Sequence, residues 1–179
     1  MRGCAGLYRL HILEAPLKAD RYSIDVNALE SLARAEKPKL VTIGGSLNLF
    51  EHPVRDIRQI ADAVGAYVMF DAAHQCGIIA GKQWTNPLDE GAHFMTMSTY
   101  KSLGGPAGGL IVSNDPEIAK RLDAIAFPGM TANFDAAKSA ALAITMLDWR
   151  DFGAAYAAEM IALSNALATA LDIAGIPIF

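Results

Sequence analysis

The sequence predicts an α/β fold, a three-layer α/β/α arrangement around a mostly parallel sheet. Three observations carry this. Short, nearly unbroken apolar runs at Leu40–Ile43, Ala66–Phe70 and His93–Thr99 have the composition of strands buried on both faces. The segments between them repeat apolar residues at helical spacing, as in Val54, Ile57, Ile60, Ala61 and Val64. The alternation of the two patterns is that of strand–helix units, whose strands run parallel and whose helices cover the sheet.

Element by element, Leu7 to Leu13 has the pattern of a strand. Asp25 to Ala35 is a helix with Val26, Leu29, Leu32 and Ala33 as its apolar stripe. The run Leu40-Val41-Thr42-Ile43 is a buried strand entering a tight turn at Gly44-Gly45. Val54 to Val64 is a helix that Gly65 ends, because a left-handed cap needs a residue without a Cβ. Ala66 to Phe70 is a strand with Asp71 at its carboxyl end, and His93 to Thr99 is a second, followed by Tyr100 and Lys101. Gly108 to Ser113 is a third. Asp115-Pro116 opens the next helix, the Asp as cap and the Pro in the first turn, with Ile118, Leu122 and Ile125 on one side. Two Ala-rich helices, about Asp135 to Asp148 and Asp151 to Ile173, complete the chain.

The 179 residues fit one domain with a sizeable core, and 53% hydrophobic against 19% charged residues exclude a disordered chain. Fifteen Lys and Arg against 19 Asp and Glu leave no basic stripe for phosphate backbones, so nucleic acid is not the expected partner. Two cysteines, Cys4 and Cys76, make neither a disulfide framework nor a zinc knuckle, which fits a reducing, cytoplasmic setting. His11, His52 and His93 lack ligand-like spacing, so no metal site is expected. No signal peptide opens the chain. Phe152 to Ile173 is apolar but carries Glu159, Ser164, Asn165, Thr169 and Asp172, and reads as a packed helix rather than a membrane span. The chain closes on the apolar run Gly175-Ile176-Pro177-Ile178-Phe179, and its start runs directly into a strand pattern, which suits a piece of a longer protein.

In open α/β sheets ligands bind beyond the carboxyl ends of the strands. Ser46, Asp71, His74, Ser98, Thr99, Tyr100 and Lys101 all fall on that rim. Asp71 leaves a buried strand and needs a partner for its charge. Lys101 precedes the glycine-rich Ser102-Leu103-Gly104-Gly105-Pro106-Ala107-Gly108-Gly109, a bare backbone open to close approach. An acid and a lysine on one rim, with an imidazole three residues after the acid, suit pyridoxal phosphate: the lysine forms the Schiff base, the acid pairs with the pyridine nitrogen, and the imidazole stacks on the ring. The same residues also suit a plainer reading. Asp71 and Lys101 then form an ion pair at a sheet edge, His74 is structural, and the glycine run is a turn between strands.

These residues bring out a family resemblance. The sequence resembles the serine hydroxymethyltransferases, fold type I (aspartate-aminotransferase-like) pyridoxal phosphate enzymes. The matching segments are Lys37-Pro38-Lys39-Leu40 through Gly44-Gly45-Ser46, Ile60 through Tyr67, Asp71-Ala72-Ala73-His74, Ser98 through Pro106 with Gly108-Gly109-Leu110-Ile111, and Phe127-Pro128-Gly129, in order from about Leu13 to Leu147. The resemblance implies that Lys101 holds pyridoxal 5'-phosphate, that Asp71 keeps the pyridine nitrogen protonated and that His74 stacks on the ring. Ser46 is implied to bond the cofactor's oxygens and Ser98 to sit near the lysine. It further implies a transferase of amino acid and one-carbon metabolism acting on a small amino acid, with tetrahydrofolate as co-substrate, built as a homodimer or higher homo-oligomer and not bound to membranes. Another fold type I activity, an aminotransferase or a desulfurase-like enzyme, uses a similar acid and lysine, and a non-catalytic truncated remnant keeps the same scaffold.

The sequence departs from the family pattern at Tyr100, where the family has a histidine, at Ala107, where it has an arginine, and at Met130-Thr131-Ala132-Asn133-Phe134, where it has Gly-Gly reaching the neighbouring subunit's phosphate. These departures leave room for a related substrate, an α-substituted serine or another β-hydroxy amino acid. Family members are also longer. Their N-terminal portion brings the phosphate-binding loop and their C-terminal domain the arginine that grips the substrate carboxylate. By this resemblance residues 1–179 are the central part of one cofactor-binding large domain, with the Ala-rich helices of 135–173 leading toward a C-terminal domain.

Overall fold

The computed structural model describes residues 8–178. Their centre is a four-stranded sheet in the order β1 (Leu40–Gly44), β2 (Tyr67–Asp71), β3 (Phe94–Ser98), β4 (Gly109–Val112). The first three strands are parallel and β4 is antiparallel to β3. The helices are α1 (Val26–Glu36), α2 (Val54–Val64), α3 (Cys76–Ala80), α4 (Pro116–Ala124) and α5 (Ala136–Ile173).

Local chemistry sets the ends of these elements. Asp25 caps α1 by accepting from the Ala28 amide at 3.0 Å. Asp115 caps α4 through the amides of Glu117 (2.8 Å) and Ile118 (3.1 Å), with Pro116 in the first turn. Gly65 ends α2 at φ 72°, the left-handed cap its sequence position requires.

Helices lie on both faces of the sheet, but unequally. Val41 and Ile43, Val68 and Phe70, and Met95 point to one face and join Leu29 of α1 and Ile57, Ile60 and Ala61 of α2 in a single buried cluster. Val54, Ile57 and Val68 are fully enclosed. The other face carries Leu40, Tyr67 and Ile111, which are 43%, 42% and 48% exposed. Only α4 leans over it, across a cleft of about 140 Å³ between Tyr67, Phe94 and Ile118. The apolar runs are thus buried on one side only within the described residues. An apolar side chain favours a cover without supplying the covering element.

Two expectations are corrected. No strand forms over 8–13, the described part of the Leu7–Leu13 run (residue 7 lies outside it), and Tyr8 and Leu10 are 64% and 60% exposed. Alternation produces a strand only where a neighbour pairs with it. The two Ala-rich helices are one 38-residue helix, α5. The charged stretch at Asp148–Asp151 does not break it, because Arg150 pairs with Asp151 (2.8 Å) and neither caps a new helix. Gly153 also stays helical: a Cβ there would meet the Trp149 ring at 2.5 Å. The expectation of a packed helix holds for only part of it. Gly153 and Ala157 are its buried residues, where Gly81 at the end of α3 comes so close that an added Cβ would lie 2.2 Å from Ala157. Phe152, Tyr156, Leu163 and Leu167 are exposed. Among the described residues, α5 is the helix long and apolar enough, by length and composition, to cross a membrane. Where it meets the body, Trp149 Nε1 donates to the Leu103 carbonyl at 2.8 Å. The segment Phe127-Pro128-Gly129 lies in an irregular turn after α4, with Phe127 extended at φ −144°.

Candidate active site

Three loops meet at the carboxyl end of the parallel strands. The first leaves β1 through Gly44 and Gly45, both left-handed at φ 87° and 121°. A Cβ on Gly44 would lie 2.3 Å from the Asp71 carbonyl oxygen, so only glycine lets this turn lie on the end of β2. Gly45 N donates to that same carbonyl at 2.8 Å. Below the turn, the half-buried His52 accepts the Gly44 amide on Nδ1 at 3.2 Å, which puts its proton on Nε2. Burial pushes the His52 pKa below its ordinary value, because it disfavours the charged imidazolium. Ser46 is exposed just beyond the turn.

The second loop runs from Asp71 into α3. Asp71 lies on the less covered face of the sheet, in register with Thr96 of β3. The Ala73 amide takes one of its carboxylate oxygens at 3.0 Å. His74 follows, exposed, and Gln75, buried, reaches back to donate to the Gly45 carbonyl at 2.9 Å. The third loop leaves β3 after Ser98. Thr99 is 2% exposed and gives its hydroxyl to the Pro106 carbonyl, while the amide of Gly105 donates to Thr99 O at 2.7 Å. The glycine-rich stretch is therefore the folded connection of the β3–β4 hairpin. It leaves Tyr100 exposed and Lys101 half-buried at the rim.

The structure brings Lys101 and His74 together: Lys101 Nζ lies 3.0 Å from His74 Nε2. Asp71 stands three residues before that imidazole, at the end of the neighbouring strand. Asp71 and Lys101 do not form the ion pair of the plainer reading. Among the described residues the ion pairs are Glu30–Arg34, Arg58–Asp62 and Arg150–Asp151. Ser98 is half-buried on the same rim, and its carbonyl faces the Cys76 thiol at 3.6 Å. No cluster of His, Cys, Asp or Glu among the described residues suits a metal ion.

The donor set fits pyridoxal phosphate. A primary amine faces an exposed imidazole, and a carboxylate keeps an oxygen free of the Ala73 amide at the same rim. Two buried polar atoms near the Gly44–Gly45 turn, Gln75 Oε1 and Asn48 Nδ2, also have no partner among the described residues. Sequence reasoning missed Ser102, Gln75, Cys76 and His52. Each acts through hydrogen bonds across stretches of the chain that no local pattern marks.

The family model described as serine hydroxymethyltransferase matches residues 8–179. An alpha-methylserine aldolase of a Ralstonia species is 59% identical over 177 residues, covering 99% of this chain and 40% of the relative. An alpha-methylserine aldolase of Variovorax paradoxus is 63% identical over the same length and shares. A serine hydroxymethyltransferase of Pyrobaculum arsenaticum is 43% identical over 169 residues, 94% of this chain and 39% of the relative. The chain thus spans about two fifths of the length of the curated relatives it matches. With the family model matched across residues 8–179, the chain belongs to the serine hydroxymethyltransferase family.

Proposed function

We propose that this chain carries the cofactor-binding centre of a pyridoxal phosphate-dependent enzyme that cleaves an α-substituted serine. Members of the family depend on pyridoxal phosphate, with tetrahydrofolate as co-substrate in serine hydroxymethyltransferase. The observation that carries the reading is the 3.0 Å approach of Lys101 Nζ to His74 Nε2 beside the strand-end carboxylate of Asp71. When bound, the cofactor supplies an electron sink for the bond that breaks at the substrate's α-carbon.

The chain's own residues then have separable tasks. Lys101, whose amine now faces His74 Nε2 at 3.0 Å, would anchor the cofactor through that amine, and His74 would stack on the ring. Asp71 would hold a proton at the pyridine nitrogen. Ser46 would bond the cofactor's oxygens from the β1 loop, and Ser98 would offer a hydroxyl beside the lysine. Fixing these groups on strand ends holds the reacting bond in one orientation.

The substrate reading rests on the relatives and on the departures from the family pattern. Proteins named for alpha-methylserine aldolase are 59% to 63% identical, against 40% to 43% for those named serine hydroxymethyltransferase. Tyr100, Ala107 and the Met130–Phe134 stretch depart from the hydroxymethyltransferase pattern. Cleavage of α-methylserine between its α-carbon and hydroxymethyl carbon gives formaldehyde and alanine, with the hydroxyl proton leaving and a proton arriving at the α-carbon. The protein is read as a cytoplasmic homodimer or higher oligomer, with residues 1–179 the central part of the large domain. Neither nucleic acid nor a membrane is a partner in this reading.

Borohydride reduction of the complete protein with pyridoxal phosphate, followed by peptide mapping, tests the core of the reading. A pyridoxyl group on Lys101 is expected, and its absence overturns the reading. Formaldehyde release from α-methylserine without folate distinguishes the aldolase from a folate-dependent transfer, which requires tetrahydrofolate.

A further inference from the structure

We propose that Ser102 is a positioning residue whose hydroxyl sets the backbone of the Lys101 loop against that of the His74 turn. This deepens the proposed function and rests on it, since it concerns the residue read as anchoring the cofactor and the one read as stacking on its ring.

The Lys101–His74 contact joins a long, flexible side chain to an exposed ring. A contact of that kind reports a geometry better than it enforces one, because a lysine's rotamer freedom opposes it. The geometry must come from the backbones carrying the two side chains, and Lys101's own backbone is weakly tied on one side: its amide reaches Ser98 O at only 3.5 Å. Ser102, the next residue, makes the firm connection. Its Oγ donates to the His74 carbonyl at 2.6 Å and accepts the Gly77 amide at 2.9 Å. One hydroxyl thus uses its donor and an acceptor on both ends of the turn that presents the imidazole. The partners stand 28 and 25 residues away in sequence.

Packing around the hydroxyl leaves the two loops little freedom to slide. A Cβ on Gly77 would lie 2.3 Å from the Ser102 carbonyl oxygen, so the backbones are in direct contact. The Cys76 thiol lies 3.5 Å from Ser102 Oγ, 3.6 Å from Ser98 O and 3.7 Å from Ala73 O, filling the remaining gap with soft, weakly bonding sulfur. Apart from the Lys101–His74 contact, Ser102 makes the nitrogen or oxygen hydrogen bonds described between residues 99–104 and 72–77. Removing the hydroxyl leaves the Gly77 N–H and the His74 carbonyl unpartnered at a part-buried seam.

The test compares Ser102→Ala with Ser102→Thr in the complete protein, with two readouts. Without cofactor, amide exchange at Gly77 and the NMR titration of His74 report the turn directly. With cofactor, the pH midpoint of the visible absorption band and the rate of cofactor loss report the lysine. Ser102→Ala is expected to speed Gly77 exchange and cofactor loss about tenfold each, the effect of one lost hydrogen bond, and to shift both titrations. Ser102→Thr, which keeps a hydroxyl, restores wild-type values to within about threefold. Unchanged exchange and titration of the alanine variant, or equal impairment by threonine, overturns the proposal. Failure to label Lys101 with borohydride sinks the functional reading alone, because the cofactor-free readout still decides what Ser102 does.

Discussion

The two ends of the sheet differ in how their buried polar atoms are bonded. A hollow of about 730 Å³ lies at the amino ends of β2 and β3, lined by Arg58, Tyr67, Leu88, His93 and Arg121 among others. Three of its polar lining residues hold the scaffold, and none of the lining residues carries a buried side-chain polar atom without a partner. Arg58 bonds Asp62 and the Gly91 carbonyl, Asp115 caps α4, and His93 accepts the Val68 amide at 2.9 Å and takes the Ser113 hydroxyl on its carbonyl. The buried side-chain polar atoms without a partner among the described residues belong instead to the opposite rim. Lys101 and His74 have each other, Asp71 has one local amide, and Gln75 Oε1 and Asn48 Nδ2 are buried without partners. Among the described residues, unsatisfied buried chemistry marks the candidate site.

That contrast breaks or sharpens under substitution. Lys101→Ala is expected to lower kcat/KM for α-methylserine cleavage by on the order of 10³-fold or more, about 4 kcal/mol of barrier. Arg121→Ala, at the large hollow, leaves it within about twofold. A comparable loss from Arg121→Ala would move the chemistry to the other end of the sheet. Next in size is stability at the rim. Gly77→Ala forces a Cβ against the Ser102 carbonyl and is expected to cost about 3 kcal/mol by chemical denaturation. Gly65→Ala, left-handed at φ 72° but with open space around it, should cost only about 1 kcal/mol.

Trp149→Phe keeps most of the ring's packing and removes the N–H donated to Leu103, so a loss of about 1 kcal/mol is expected in the same measurement. The histidines give a pH dependence with a definite sign. Burial lowers the folded pKa of His52, and burial followed by the Arg58 charge lowers that of His93. The unfolded chain binds more protons as pH falls through the ordinary histidine value of 6.5, so stability is lost from there downward and is fully present above it. His52→Gln should flatten the fall of the denaturation midpoint between about pH 7.5 and 5.5. An unchanged slope would remove His52 from the account. The smallest effect expected is at the exposed Glu30–Arg34 pair, where Arg34→Ala should cost below about 0.5 kcal/mol.

Much of the scaffold was legible in the residues because its signals are local. The α2 stripe, the Asp25 and Asp115 caps and the Gly65 stop each act within a few residues, and the observed elements follow them. Asp71, His74 and Lys101 were legible as rim residues because a strand's end fixes where the next side chains stand. The 8–13 segment and α5 were misread for the complementary reason. A strand depends on a partner elsewhere in the chain, and the charged stretch within α5 resembles a boundary although no cap or proline enforces one. Ser102, Gln75 and His52 were invisible because a serine after a lysine or a glutamine after a histidine carries no sign of the distant loop it will hold.

The bond from Trp149 to Leu103 has a mechanical consequence. α5 is a rod of roughly 57 Å fastened to the body near its first third and free along most of its flanks. A pull on either tip is delivered to the body where α5 touches it, at Gly81 through Ala157 and at the Leu103 carbonyl, two residues from the amine at the rim.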